Sequence, residues 1–440
     1  MRQRLTTYAC IGHVICLILL LSGIARAQST WYEVYFSQVN NHVATAKADP
    51  RSIDRMLVQK LDAANSSIDA ALHEIDSERI AHALIAAHQR GVRVRIVTED
   101  DYMDEVSIEA LQAASVPIVS DKGNSGLMHN KFLVIDRRFV WTGSFNTTDN
   151  DAFKNDNNAI WIQSTELAEN FTCAFLDMFE REQFGRGTVS PIPHPVVTMP
   201  DGSRLRTVFA PGYDAARFIV NELRQAEQSI YFMAFSFTHD GIGAVMKKRF
   251  QDGLDVRGVF ETRGADSPHA EYASMQKLGM AVIKDTNKWT MHHKVIIIDG
   301  HTVITGSFNF SNNASRINNE NVLIIQGNRD IARLYTQEWQ RVMGGASDTS
   351  APPVASVPKV EVQVTSDPTT ASAGDLSLSA GDLSVNTATQ QQLEALPGIG
   401  PELAKRIIAG RPYRQLLDLE RVQGLGPRKL EALRGLVGFE

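Results

Sequence analysis

A chain of 440 residues has room for roughly two to four domains of ordinary size. A hydrophobic share of 43% and a charged share of 21% sit near globular averages and exclude wholesale disorder or a fibrous architecture. Lys and Arg number 44 against 50 Asp and Glu, and the resulting charge of −6 excludes a uniformly basic protein that coats a polyanion.

Arg2 and Arg4 precede the apolar run Val14-Ile15-Cys16-Leu17-Ile18-Leu19-Leu20-Leu21, and Ala25-Arg26-Ala27 follows it. A basic start, a short apolar stretch and an Ala-x-Ala site predict a secretory signal over residues 1–27, cleaved before Gln28. The run is shorter than the ~20 residues that a membrane span needs. No second long apolar run follows, so the mature chain is expected to lack an integral membrane segment and to be secreted or periplasmic, by bacterial-type export. Losing Arg2, Arg4 and Arg26 moves the charge from −6 to −9. Cys10 and Cys16 leave with the leader, and the remaining Cys173 cannot close an intramolecular disulfide. Its helical surroundings predict a buried small hydrophobe.

Ile53, Met56, Leu57 and Leu61 recur at helical spacing and predict an amphipathic helix ending near Ser66-Ser67-Ile68. Val92-Arg93-Val94-Arg95-Ile96-Val97 alternates as a strand does. Met128-His129-Asn130-Lys131 leads into Phe132-Leu133-Val134-Ile135-Asp136, which predicts a buried strand, and Thr142-Gly143-Ser144-Phe145-Asn146 follows. The series then returns. Phe218, Ile219 and Leu223 predict a helix before Gln228-Ser229-Ile230, and Leu254 to Val259 predicts a strand. Met291-His292-His293-Lys294 leads into Val295-Ile296-Ile297-Ile298-Asp299, and Thr305-Gly306-Ser307-Phe308-Asn309 comes after it. His129 to His292 and Asn146 to Asn309 share one offset of 163 residues. The alternation predicts an α/β layered fold present twice, with halves at 28–186 and 187–344.

In His-x-Lys-x-x-x-x-Asp the strand period of two puts His and Lys on one side and Asp on the other. Asp136 and Asp299 are therefore expected to be structural. Gly-Ser-x-Asn supplies a tight backbone, a hydroxyl and an amide suited to phosphate oxygens. Doubled, the motif offers two imidazoles, two ammonium groups and two amides. One histidine can attack while the other protonates a leaving group, and the lysines neutralise charge. No carboxylate set with metal-ligand spacing accompanies this, so lysines are expected to take the place of a metal, with no cofactor.

These paired motifs resemble the phospholipase D superfamily in its single-chain form, over about residues 31–344. The resemblance implies a pseudo-twofold α/β/α sandwich and a metal-independent phosphodiester reaction through a covalent phosphohistidine. It makes His129 and His292 nucleophile and general acid. Lys131, Lys294, Asn146 and Asn309 would bind phosphate, with Ser144, Ser307 and Asn157 on the substrate side. A monomer is expected because both motifs lie in one chain. The halves differ at one place: Asn319-Glu320-Asn321-Val322 answers to Asp156-Asn157-Asn158-Ala159, so Glu320 aligns with Asn157. In similar enzymes this Glu partners the histidine of the other half, so Glu320 is expected to orient His129 as the nucleophile, leaving His292 as the acid.

Residues 345–384 are rich in Ala, Ser, Thr, Pro and Val and predict a flexible linker, with a compact segment at 385–440. Leu396-Pro397-Gly398-Ile399-Gly400-Pro401 precedes Ala404, Ile407 and Ile408 at helical spacing. Val422-Gln423-Gly424-Leu425-Gly426-Pro427 precedes Leu430 and Leu433 in the same way. Each predicts a helix, a Gly-x-Gly turn and a second helix, whose backbone N–H groups suit a phosphate. Lys405, Arg406, Arg428 and Lys429 follow one turn later. The segment carries eight Lys/Arg against six Asp/Glu, or +2. It resembles the tandem helix-hairpin-helix module of bacterial competence DNA receptors, which implies sequence-independent binding of duplex DNA through its phosphates. The expected function is an exported nuclease acting on DNA. The alternatives are a phospholipase D acting on phospholipid, and a non-catalytic DNA-binding or uptake protein, against which the intact motifs in both halves argue.

Overall fold

The computed structural model describes residues 30–37, 43–185, 190–344, 383–394, 396, 399–413, 416–422, 424–425, 433 and 437–438. The expected leader and the expected linker as far as 382 lie outside the described residues.

The first half supplies β1 (Tyr32–Phe36), β2 (Ser67–Leu72), β3 (Arg93–Thr98), β4 (Ile118–Ser120), β5 (Lys131–Ile135), β6 (Phe139–Gly143) and β7 (Asn158–Gln163). They form one mixed sheet in the order β1-β7-β6-β5-β2-β3-β4. The second half supplies β8 (Val197–Thr198), β9 (Arg204–Ala210), β10 (Ser229–Ala234), β11 (Asp255–Phe260), β12 (Ala281–Lys284), β13 (Lys294–Ile298), β14 (Thr302–Gly306) and β15 (Glu320–Gln326). Their order is β12-β11-β10-β13-β14-β15-β9-β8. Read from the β8 end, it repeats the first sheet strand for strand, with β8 added at the edge. The fold is the duplicated α/β architecture that the repeat predicts.

β5 and β13 are buried along their whole length, which is why Lys-Phe-Leu-Val-Ile and Lys-Val-Ile-Ile-Ile carry almost no polar side chains. Each lies between a strand of its own parallel β-α-β unit and the antiparallel hairpin that follows. The edge strands β1, β4 and β8 went unread in the sequence, because short runs such as Ile118-Val119-Ser120 carry no period. β7 and β15 open on Asn158 and Glu320, which read as loop residues until their burial is seen.

One core cluster joins the halves. It draws Phe132, Val134, Ile160 and Ile162 from the first sheet and Val295, Ile297, Leu323 and Ile325 from the second. The closing helices Thr165–Phe179 and Arg329–Gly344 fill it with Phe171, Phe175, Tyr335 and Trp339. Phe171 packs edge-on to Phe132 at 5.0 Å and to Phe209 of the other half at 5.1 Å. Truncating it to Ala would cost about 3–5 kcal/mol. Helices such as Ile53–Asp62 and Glu78–Gln89 cover the outer face of the first sheet, and Ala215–Arg224 and Asp240–Gln251 cover that of the second. Cys173 lies in the helix Thr165–Phe179 and is half-buried, not fully enclosed.

The tail has its own core, with Val385, Leu393, Ile399, Ala404, Ile407, Tyr413 and Leu425 buried together. Leu383–Ser384 pairs with Val437–Gly438 at the two ends of this segment. Among the described residues no helix is long and apolar enough to cross a membrane.

Candidate active site

The hairpins β5–β6 and β13–β14 bring both copies of the motif to the seam between the halves. Each histidine is held by the backbone of the other half. His129 N–H donates to the Asn319 carbonyl at 3.0 Å, and His292 N–H donates to the Asp156 carbonyl at 2.8 Å. The preceding residues are pinned as well. Met128 N–H donates to Glu99 at 2.7 Å and Met291 N–H to Glu261 at 2.7 Å. Backbone bonds of this kind fix the entry of each His more tightly than side-chain packing alone.

The imidazoles then differ in their partners. His129 Nδ1 donates to Glu320 Oε2 at 2.8 Å, across the halves. Glu320 is fully buried and also accepts from Ser307 Oγ at 2.6 Å and Asn318 Nδ2 at 3.2 Å. His292 Nδ1 donates to the Asn157 amide oxygen at 2.9 Å, which Ser144 Oγ also reaches at 2.8 Å. The Asp151 carboxylate stands 3.5 Å from His292 Nδ1. An aromatic ring packs edge-on against each histidine, His73 at 4.8 Å from His129 and Phe235 at 4.7 Å from His292.

Lys131 and Lys294 sit two residues on, buried, on the same side of their strands as the histidines. Lys131 Nζ donates to the His129 carbonyl at 2.7 Å and Lys294 Nζ to the His292 carbonyl at 2.9 Å. Each ammonium keeps further N–H donors for an anion. Asn146 Oδ1 and Asn309 Oδ1 are buried without a hydrogen-bond partner. An amide oxygen only accepts, so phosphate oxygens, acceptors themselves, can be met here only by the Nδ2–H2 of each side chain.

Burial dominates the titration of the site. It pushes the Glu320 carboxyl up to about 8, against the lowering pull of Lys131, Ser307 and Asn318. Burial, then Lys131, holds His129 well below its ordinary value. Burial, then Lys294, brings His292 down to about 4. Burial lowers Lys131 to about 8 although Glu320 and Asp151 pull it up. Lys294 lies well below its ordinary value through burial and the repulsion of Lys131. Burial thus disfavours two cations in this site, and the charge of an anion would favour them.

Several expected site residues take other places. Ser144 and Ser307 are fully buried, and their hydroxyl protons are given to Asn157 and Glu320, the partners of the two histidines. Asn157 is also fully buried and supports His292 instead of lining the substrate side. Asp136 lies at the far end of β5, where its carboxylate accepts from the backbone N–H of Asn65, Ser66 and Ser67 at 3.0, 2.7 and 3.1 Å. Asp299 repeats this with Glu227, Gln228 and Ser229, each at 2.8 Å. Both aspartates staple a turn and stand apart from the reacting groups. Asp151, His73, Glu99 and Glu261 were not singled out from the sequence. Glu99 and Glu261 could have been found as a repeated Glu one residue beyond β3 and β11.

The Gly-Ser corner has a steric cause. Gly306 has φ +135°, and a Cβ there would stand 2.3 Å from the Asn321 carbonyl oxygen. Gly143 repeats this, with φ +153° and the Asn158 oxygen 2.3 Å away. Only glycine lets β6 and β14 pass so close to β7 and β15.

In the tail, Gly400 caps the helix Pro401–Ala409, with Pro401 in its first turn. Lys405 is exposed on that helix and paired with Glu402, and Arg406 is half-buried beside it. Gly424 adopts φ +96°. Gly398, Gly426, Arg428 and Lys429 lie outside the described residues.

Residues 57–179 and 219–343 each match the family model described as cardiolipin synthase, PLD-like domain, and residues 379–437 match that of the helix-hairpin-helix motif. The chain is 34% identical over 137 residues to the phospholipase D of Rickettsia prowazekii (strain Madrid E), covering 31% of this chain and 66% of that protein. It is 37% identical over 132 residues to the mitochondrial cardiolipin hydrolase of Homo sapiens, covering 29% of this chain and 50% of that one. The match therefore spans between half and two-thirds of these relatives. The crystal structure of phosphatidylserine synthase from Haemophilus influenzae Rd KW20 superposes with a TM-score of 0.55 at 12% identity, over 72% of this chain and 86% of that one. That is a likeness of fold.

Proposed function

The chain belongs to the PLD-like family of phosphodiesterases that both of its halves match, and from that premise we propose that it is a nuclease cleaving DNA without a metal ion. The observation that carries the choice of substrate is the helix-hairpin-helix module joined to the catalytic halves. A tethered module that grips phosphates raises the effective concentration of DNA at a core that itself contacts little beyond the phosphodiester. Export follows from the reading of residues 1–27 and is part of the same proposal.

In this mechanism Lys131 and Lys294, with the amides of Asn146 and Asn309, hold the non-bridging phosphate oxygens. Glu320 keeps the His129 proton on Nδ1, so Nε2 presents its lone pair to phosphorus. The P–N bond forms as the P–O bond to the leaving group breaks, and His292 gives that oxygen a proton from Nε2. Water then enters on the same side as the departed group. His292 takes its proton, the new P–O bond forms, and the P–N bond of the phosphohistidine breaks. The lysines neutralise the charge that grows on the equatorial oxygens, the task a metal performs elsewhere.

Plasmid DNA incubated in EDTA with wild type and with His129→Ala tests the reading. Cleavage by wild type alone supports it. Hydrolysis of phosphatidylcholine or cardiolipin vesicles with intact plasmid would replace it with a lipid hydrolase, in line with the names phospholipase D and cardiolipin hydrolase of the rickettsial and human relatives. Removing residues 383–440 should weaken DNA binding while a small phosphodiester is still cleaved.

A further inference from the structure

The two halves repeat the His, Lys, Gly, Ser and Asn of the motif around the histidines, but the carboxylate stands in a different place in each. In the second half, Glu320 meets His129 directly, and Asn318 steadies it. The corresponding place in the first half holds Asn157, an amide. A carboxylate is nonetheless present near His292. It comes from Asp151, in the short helix Asp149–Phe153 that follows the Gly-Ser corner. By the 163-residue offset Asp151 corresponds to Ala314, so each half carries one carboxylate, at different positions.

Asp151 is held as firmly as Glu320. Its Oδ2 accepts from the Asn146 backbone N–H at 2.8 Å, and its Oδ1 from Asn155 Nδ2 at 2.6 Å. Asn155 corresponds to Asn318, so one asparagine in each half supports whichever carboxylate is present. Asp151 is 2% exposed. A carboxylate so deeply buried is costly unless a cation answers it; Lys131 and Lys294 feel its charge, and the imidazolium that His292 forms in the reaction would lie 3.5 Å from it.

We propose that Asp151 is the positioning carboxylate of His292, relocated from strand to helix. It stands behind the Nδ1–H bond to Asn157 without replacing it. Glu320 accepts the His129 proton directly and makes Nε2 a better nucleophile. Asp151 stabilises the imidazolium of His292 from 3.5 Å while the amide keeps Nδ1–H in place, so the proton that leaves is the one on Nε2. That is the behaviour required of an acid. Asp151 touches neither phosphate nor leaving group, and it acts only through His292. The proposal rests on the assignment of His292 as the acid.

A series of aryl phosphodiesters with leaving groups from p-nitrophenol to phenol tests it in the full-length protein, independently of whether DNA or lipid is the natural substrate. A good leaving group needs no acid and a poor one does. Asp151→Asn should lower kcat/KM for the phenyl ester by about 10–100-fold, the usual effect of losing a supporting carboxylate, and barely change kcat/KM for the p-nitrophenyl ester, a quantity that does not include the later attack of water. Asp151→Ala combined with Asn157→Glu, which copies the second half, should recover most of the phenyl-ester activity lost in Asp151→Ala alone. Equal slowing of both esters, or no recovery in the double variant, would overturn the proposal. The opposite pattern, with Glu320→Gln selective for poor leaving groups and Asp151→Asn slowing the p-nitrophenyl ester, would instead overturn the assignment of His292 as acid.

Discussion

The buried imidazole of His292 makes a quantitative prediction about acid stability. Folding lowers its pKa to about 4, chiefly through burial and then through Lys294. In the unfolded chain the ring titrates near 6.5. As pH falls below 6.5 the unfolded state gains a proton that the folded state refuses until about 4, so stability is lost across that window. Each unit of difference is worth about 1.4 kcal/mol, which gives a loss of about 2 kcal/mol at pH 5 and about 3 kcal/mol below pH 4. His292→Asn removes this contribution. It also removes the imidazole that, against burial, holds the Asp151 carboxyl low, so that carboxyl rises and stabilises the folded state on acidification, and the variant differs further in the same direction. Urea unfolding followed by tryptophan fluorescence at pH 7.5 and pH 5.0 measures the difference. Wild type should lose about 2 kcal/mol more than the variant between the two conditions. Equal losses would mean that the ring is protonated as easily in the folded site as in water, and the account of burial would fail.

The catalytic pH profile follows from the same site. Glu320, raised to about 8, must be ionised to pair with His129, while His292, lowered to about 4, and Lys131, lowered to about 8, must be protonated, so kcat/KM should be level between about pH 4 and 8 and fall on either side. Glu320→Gln should remove the acidic limb, and a profile identical to wild type would refute the pairing. Gly306→Ala forces a Cβ to 2.3 Å from the Asn321 oxygen and should cost about 3 kcal/mol or more in a urea titration. A loss below 1 kcal/mol would show that β14 can move away. Asp136→Ala should cost about 1–3 kcal/mol by leaving three backbone N–H groups without their acceptor. It should leave kcat unchanged, and a large fall in kcat would return this aspartate to the chemistry.

The paired strands were legible because His-x-Lys, an apolar run and Gly-Ser-x-Asn recur at one offset, and burial on both faces writes β5 and β13 as uninterrupted apolar runs. Strand parity also separated Asp136 from His129. Parity says nothing about depth, however. Ser144 looked like a phosphate ligand because hydroxyls often are, whereas its Oγ turns inward to Asn157 under the Gly143 corner. Asp151 was invisible for a different reason. A helical aspartate three residues after Thr148 reads as an ordinary first-turn acid, and only the register between the halves brings it to His292. Aligning the repeats for what differs, not only for what matches, would have pointed to Asp151 against Ala314 and to His73 against Phe235.

The pattern of what the duplication kept and what it changed follows the symmetry of the proposed reaction. A phosphodiester on the pseudo-twofold axis presents its two non-bridging oxygens alike to both halves. The groups that meet them have remained paired: Lys131 with Lys294, each bonded to its own histidine carbonyl, and Asn146 with Asn309, each offering an Nδ2–H2 donor. The attacking and leaving atoms are not alike. One histidine must offer a lone pair at the moment the other offers a proton, and identical environments would favour neither direction. The differences between the halves lie on those two groups: a carboxylate bonded to His129 against an amide with a carboxylate behind it for His292, and a histidine ring against a phenyl ring as the packing partner. A homodimer built from one half could not make that distinction, because any substitution would appear on both sides of the axis. Fusion into one chain removes the constraint, and Glu320 and Asp151 are where this protein has used the freedom.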